Sequence, residues 1–373
     1  MRFILAGVLI YIWYLLFQVI VEKWWDKSLR IKVYCNREFA YEGEELELIE
    51  EIENEKWLML PGLKVKFATS RFWDFYEEEE GAKTDQYYRN DVFSVGGYEK
   101  IRRVLPFLCV KRGYYEIGNI DIFATNFFYT QEYFKREEVS KRVYVFAKRV
   151  RTPEFQTVYE QIMGEVLSKK KIYEDPYTFL GIRDYQTFDR MKQINWKATA
   201  KSGELKVNSY LHTGQLSVHI LVYLEQKNLE WDKWMEEHIL SMAVTFAEQL
   251  LQENISVSFA CNGYDTENKC GFWVDSGAGE HHLRRVDETI ARIDLEKGGK
   301  QLEAAEAFLE NAMRPQDLNL VLSTSQLSDF QQMLERKKQE GVTFLWLLPH
   351  YEMETLAVNQ NLREQLRELV VEL

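Results

Sequence analysis

Hydrophobic and polar positions follow three regimes along the chain. Phe3 to Val21 is an almost unbroken apolar run with one amide, Gln18, and no charged side chain. From Leu29 the pattern becomes short alternations of period two: Leu29–Val33, Glu45–Ile52 with an acidic outer face, and Leu63–Phe67 with basic outward residues. Val92–Val95, Ile101–Leu105, Tyr114–Ile117 and Arg142–Phe146 continue the series, and Glu77–Glu80 with Gly81 reads as a solvated loop tip. Short strands with turns between them and no useful helical period predict a β-sandwich over 29–148. After about residue 216 the pattern switches again. Leu216–Leu224 is a mostly apolar run suited to a strand covered on both faces. Helical spacing follows over Trp231–Glu253, through Trp234, His238, Met242 and Phe246, with His238 on the apolar stripe as a core residue. A strand at Ile255–Cys261 with an antiparallel partner at Gly271–Val274, helices at Glu280–Ile293 and Gln301–Ala312, and a strand at Leu318–Leu322 come next. A helix at Asp329–Gln339, a strand at Val342–Leu348 and a last helix at Asn361–Val371 finish the alternation. Such alternation predicts crossover units and a mainly parallel sheet with one antiparallel edge over 216–373.

The first run has a consequence for location. A helix over Phe3–Val21 rises about 28 Å, close to the ~30 Å hydrocarbon thickness of a bilayer. A cleaved signal peptide is the competing reading, but the run is long for one and no small-x-small site precedes Glu22. Trp24 and Trp25 fall where an interfacial aromatic belt belongs. Lys23, Lys27, Arg30, Lys32 and Arg37 outnumber Arg2 on the other flank, so a single pass with the body of the protein in the cytoplasm is expected.

Composition narrows the function classes. With 373 residues, 46% apolar content and six prolines, an anchor and two folded domains are expected. A net charge of -12 argues against a nucleic-acid partner. Cys35, Cys109, Cys261 and Cys270 form no CxxC pair and no Cys/His ligand spacing, which makes them reduced, buried thiols; only Cys261 and Cys270 could face each other across a hairpin. There is no phosphate-cradling GxxxxGK, so the chain does not read as an ATPase.

Candidate chemistry is sparse. His281 and His282 with Asp275, Ser276 and Glu280 could be drawn as a hydrolytic cluster, yet those residue types belong in a polar loop that opens a helix, and capping is the preferred reading. The stretch Tyr173–Asn208, inside a central segment 149–215, is the stronger candidate. It sets Tyr177, Phe179, Tyr185, Phe188 and Trp196 among Arg183, Arg190, Lys192, Lys197, Lys201 and Lys206, and closes on a turn at Ser202-Gly203. Arg183, Lys192 and Lys197 could grip an acidic or phosphorylated partner beside the aromatic anchors Trp196 and Tyr185. The alternative is structural: Arg183 pairs with Asp189, and Ile194 and Trp196 cover the edge of the following sheet. Both readings stay open.

The pattern Asp175-Pro176-x-x-Phe179-x-Gly181-x-Arg183-x-Tyr185, Asp189, Lys192-x-Ile194-Asn195-Trp196-Lys197-Ala198-x-Ala200 and Gly203-Glu204-Leu205-x-Val207 resembles the signature of the bacterial "domain of unknown function 58" family. Arg112-Gly113-Tyr114-Tyr115 and Ile117-Gly118 match more loosely. The chain departs from that pattern at Phe188, where a glycine is usual, at Lys192-Gln193, which replaces an arginine pair, and in having one spanning helix where two are common. The resemblance implies a membrane-anchored protein whose C-terminal α/β domain is von Willebrand type A-like, with a Rossmann-like sheet. It also implies a MoxR-type AAA ATPase as partner. In such a domain a working metal loop would carry Asp-x-Ser-x-Ser after the first strand, because magnesium takes hard oxygen ligands. Here Glu225 stands in the aspartate's place while Lys227 and Leu229 occupy the two serine positions, and Ser323-Thr324-Ser325 lacks a nearby aspartate. No metal and no cofactor are therefore expected. A non-enzymatic membrane adaptor is the leading expectation, a metal-dependent adhesion-type module the alternative, and a hydrolase the least favoured.

Overall fold

The computed structural model describes residues 2–76, 86–170, 179–186, 191–210, 217–225, 230–265, 272–295, 305–315 and 317–371. It divides into two compact units, Met1–Lys148 and Arg149–Leu373.

The first unit opens with helix α1 (Arg2–Trp24), the one described helix long and apolar enough to cross a membrane. The strands that follow are β1 (Leu29–Cys35), β2 (Phe39–Tyr41), β3 (Glu45–Asn54), β4 (Leu60–Ser70), β5 (Trp73–Phe75) and β6 (Gln86–Val95). Then come β7 (Lys100–Cys109), β8 (Gly113–Ile117), β9 (Ile120–Thr125), β10 (Glu132–Glu137) and β11 (Lys141–Phe146). They form sheets of order β1-β3-β7-β5, β10-β9-β4-β6 and β2-β11-β8. Alternate residues, Leu46, Leu48 and Ile52 from β3 and Leu63, Val65 and Phe67 from β4, close one core, as period-two strands must when one face is dry. The expected sandwich is therefore present, with β2, β5, β9 and β10 added to the strands read from sequence. The acidic outer face expected of β3 holds for Glu45 and Glu47 but not for Glu50, which shares the inward parity of Leu48 and Ile52 and is buried. Near it, the buried Asp91 carboxylate accepts from Arg89 Nε and Nη2 at 3.1 and 3.2 Å and from Arg103 Nη1 at 2.6 Å. Burial first, and the Asp91 carboxylate second, push the Glu50 carboxyl up to about 8. Cys35, half-buried, and Cys109, buried, are free thiols held at about 12 mainly by burial.

The second unit comprises α2 (Pro153–Lys170), β12 (Phe179–Asp184), α3 (Trp196–Ser202), β13 (Lys206–Tyr210), β14 (Ser217–Val222), α4 (Glu230–Gln252), β15 (Ser256–Cys261) and β16 (Tyr264–Asp265). It continues with β17 (Phe272–Gly277), α5 (Glu280–Ala291), β18 (Ile293–Asp294), α6 (Ala305–Ala312), β19 (Leu318–Leu322), α7 (Ser328–Gln339), β20 (Phe344–His350) and β21 (Leu366–Val370). Its main sheet has order β17-β15-β14-β19-β20-β21, with β17 antiparallel and the other neighbours parallel. Every residue of β15, β19 and β20 is buried, so helices must cover both faces. Phe308 and Leu309 of α6 and Phe330 and Leu334 of α7 pack with Leu221, Val321 and Trp346, while α4 lies against β14, β15 and α5. Arg149 clamps the start of the unit: its guanidinium donates to both Asp287 oxygens on α5 at 2.9 and 2.8 Å and to Glu248 on α4 at 3.2 Å.

One helix expected from sequence is corrected. Asn361–Val371 is not a helix: a 3-10 turn at Gln360–Leu362 leads into strand β21, parallel to β20. Leu362, Leu366 and Leu369 happen to fall at helical spacing, but edge pairing with β20 satisfies the backbone instead. Helix α2, in a stretch to which the sequence reading gave no element, is capped by Thr152, whose Oγ1 accepts from Phe155 N at 3.3 Å, with Pro153 in its first turn.

Candidate functional site

The signature segment folds as a small layered unit. Strands β12 and β13 form an antiparallel pair, Ile182 opposite Asn208, Arg183 opposite Val207 and Asp184 opposite Lys206, with a bulge between Phe179 and Gly181. Ile194 bridges to Val207, and these two are buried. Helix α3 then folds back over the hairpin through side-chain bonds. Asn195 caps it, its Oδ1 accepting from Ala198 N at 2.9 Å and its Nδ2 donating to Asn208 Oδ1 at 2.7 Å. Thr199 Oγ1 accepts from Lys206 N at 3.0 Å. Gly203 ends the helix at φ 77, a left-handed conformation that explains a glycine at the expected turn.

The apolar surface left over points outward. Trp196 is 64% exposed and Met191 73%, and Ile182, Leu205, Arg183, Lys192 and Lys197 of the same segment are exposed as well. Tyr185 is half-buried, its N–H donating to Leu205 O at 3.0 Å. Of the structural alternative, the exposed Trp196 does not fit the covering role, and the buried Ile194 bridges to Val207 of β13 rather than to the main sheet. Arg183 Nη1 donates to Asp184 O at 3.1 Å, and Lys206 pairs with Asp184 and lies 3.7 Å from Glu204. Phe179 is placed by its strand register alone. Asp175, Pro176, Tyr177, Phe188, Asp189 and Arg190 lie outside the described residues, as does the expected loop tip at Glu77–Glu80.

The other sequence candidates separate. Glu225 sits half-buried just after β14, whereas Lys227 and Leu229 lie outside the described residues. Beside it the buried Asn262 side chain brackets Leu224, accepting from its N–H at 2.7 Å and donating to its carbonyl at 2.9 Å. Ser323 and Ser325 are buried, and Ser323 Oγ accepts from Ser325 N at 3.0 Å. Among the described residues no group of three or more His, Cys, Asp or Glu side chains is placed to hold a metal. His282 is buried with Nε2 2.7 Å from Val257 O, while Asp275 accepts from Trp273 Nε1 at 3.0 Å and Ser276 Oγ lies 2.9 Å from Ser217 Oγ. These contacts use the members of the supposed hydrolytic cluster separately. His238 is half-buried, stacked 5.2 Å from Trp234, and burial lowers its pKa. Cys261 is buried, its Sγ accepting from Gly263 N at 3.3 Å, and Cys270 lies outside the described residues.

One polar group escaped sequence reasoning. His219, inside the apolar run of β14, is fully buried against Ser258, with its ring 5.1 Å from that of Trp273, which Arg314 in turn covers at 5.1 Å. Burial, reinforced by Arg314, lowers its pKa to about 4, so the imidazole is neutral near pH 7. A histidine within a strand covered on both faces was the signal available.

The family model described as "Protein of unknown function DUF58" matches residues 181–345, which run from the β12 hairpin into β20. Those residues are similar to the DUF58 family. That match covers the described part of the signature from Gly181 onward, and the DUF58 description carries no activity. No curated protein matches the chain. Among solved structures, a CARDB domain from Pyrococcus furiosus, crystallised in complex with di-metal ions, is similar at 15% identity, covering 32% of this chain and 90% of that one. Its TM-score of 0.21 supports no correspondence of sites.

Proposed function

We propose that this protein is a membrane-anchored, non-enzymatic adaptor that presents a protein-docking surface to a MoxR-type AAA ATPase or its client, with its body in the cytoplasm. The observation that carries this reading is the exposure of Trp196 together with Met191, Ile182, Leu205, Arg183, Lys192 and Lys197 of the same segment. Trp and Arg dominate the energetics of protein interfaces, and several exposed apolar side chains within one segment mark an interaction site. We read the α/β unit as von Willebrand type A-like. In chain order its main-sheet strands stand third, second, first, fourth, fifth and sixth, with the third antiparallel, which supports that reading. The ATPase itself is proposed from the resemblance. The test is affinity capture of the purified ATPase by the detergent-solubilised full chain, native and carrying Trp196→Ala with Arg183→Glu. Loss of capture in the variant supports the surface, and equal capture removes it from the mechanism.

A further inference from the structure

The anchoring helix does not stand clear of the sandwich. Tyr14, Phe17, Gln18 and Val21, one stripe of α1 continued by Trp25 just past its end, are drawn into the first unit, and Val21 and Trp25 enter its core. The β9–β10 hairpin runs alongside them. Trp25 stacks on Tyr133 at 5.8 Å, and further along, Tyr14 meets Phe128 edge-on at 5.5 Å with its hydroxyl 3.3 Å from Thr130 Oγ1. From Trp24 back to Tyr14 the helix rises about 15 Å, half of the ~30 Å hydrocarbon core. A bilayer that accepts α1 over Phe3–Trp24 therefore also meets the hairpin tip.

The tip is built for that environment. Phe127, Phe128 and Tyr129 are 55%, 55% and 66% exposed, consecutive aromatics with no core of their own. Backbone polar groups have no water partner in lipid and must be satisfied within the protein. Here Asn126, itself buried, supplies the partners: its Oδ1 accepts from Thr130 N at 2.9 Å, its Nδ2 donates to Thr130 Oγ1 at 2.7 Å, and its carbonyl accepts from Tyr129 N at 3.0 Å. The neighbouring loops at this end of the sandwich are aromatic as well. Lys56 Nζ donates to Lys27 O just past the helix, Tyr98 N donates to Lys56 O, and Tyr129 Oη donates to Pro61 O; Trp57, Met59 and Tyr98 on these loops are exposed. Tyr and Trp concentrate at headgroup level.

We propose that this end of the sandwich is seated in the bilayer, with Phe127, Phe128 and Tyr129 wedged into the acyl region beside α1 and Trp57 and Tyr98 at the headgroups. The wedge rests on the membrane reading of α1 and fixes how the first unit sits on the lipid surface. It is tested with the full chain in vesicles of phosphatidylethanolamine and phosphatidylglycerol, carrying p-benzoylphenylalanine in place of Phe128, of Leu9 in the helix, or of Tyr76 on the loop after β5. After irradiation, mass spectrometry reads phospholipid adducts. Adducts at positions 9 and 128 and none at 76 are expected. Adducts at 9 alone, or as abundant at 76 as at 128, overturn the wedge while leaving the anchor standing. Absence at 9 overturns the membrane reading and the wedge with it.

Discussion

Replacing Arg149 by alanine strands a buried carboxylate, Asp287, deep in the second unit. Asp287 is 3% exposed and receives two guanidinium hydrogen bonds, at 2.9 and 2.8 Å, and burial already raises its pKa against the opposing pull of Arg149. Breaking a buried pair from one side costs about 3–5 kcal/mol, because the remaining charge keeps its desolvation penalty. For a unit of this size each kcal/mol moves the thermal midpoint by about 2–4 °C, so a fall of about 6–20 °C is expected. Arg149→Lys keeps the charge but loses the two-pronged geometry and should fall between. Arg149→Met combined with Asp287→Leu should recover most of the loss, since an apolar pair of similar volume replaces the ions without stranding either. Differential scanning calorimetry of the detergent-solubilised full chain, following the second unit's transition, measures all three. A midpoint for Arg149→Ala within about 2 °C of native would refute the clamp as a stabilising element, since the buried-pair cost predicts several times that.

Glu50 gives the first unit a pH dependence of definite sign. Its folded pKa is raised from 4.5 to about 8, so its contribution is fully present below pH 4.5 and lost as pH rises towards 8. The first unit's thermal midpoint should decline over that window in the native protein and decline less in Glu50→Gln, as read by calorimetry across a pH series. Titration of magnesium or manganese into the full chain should give no saturable heat; a binding isotherm that disappears in Glu225→Gln would restore the metal-dependent alternative.

Legibility in the sequence followed burial. Leu318–Leu322 was placed to the residue because a strand covered on both faces is a continuous apolar run bounded by polar residues. The antiparallel partner of β15 was legible from the neighbouring short runs, and α4, α5 and α7 from their helical spacing. β21 was misread because Leu362, Leu366 and Leu369 mimic that spacing, and a short edge strand carries polar residues on its open side. In α2 the signal was present: Phe155, Val158, Tyr159, Ile162, Met163 and Val166 are buried at helical spacing after a Thr-Pro start. Glu50 was assigned outward with the other acids although its parity is that of Leu48, and no local pattern tells that Asp91, Arg89 and Arg103 wait nearby. For the candidate site, composition singled out Trp196 and the basic residues. Only the fold separates Ile194, buried under the hairpin, from Trp196, left outside it.

The proposed docking surface is tested most directly by the dissociation constant of a purified MoxR-type ATPase, the proposed partner, for the full chain in lipid nanodiscs, measured for the native protein and for Trp196→Ala. Loss of an interface hot spot costs about 2 kcal/mol or more, so binding roughly thirtyfold weaker is predicted. A dissociation constant unchanged by the substitution, or no binding by the native chain, would contradict it.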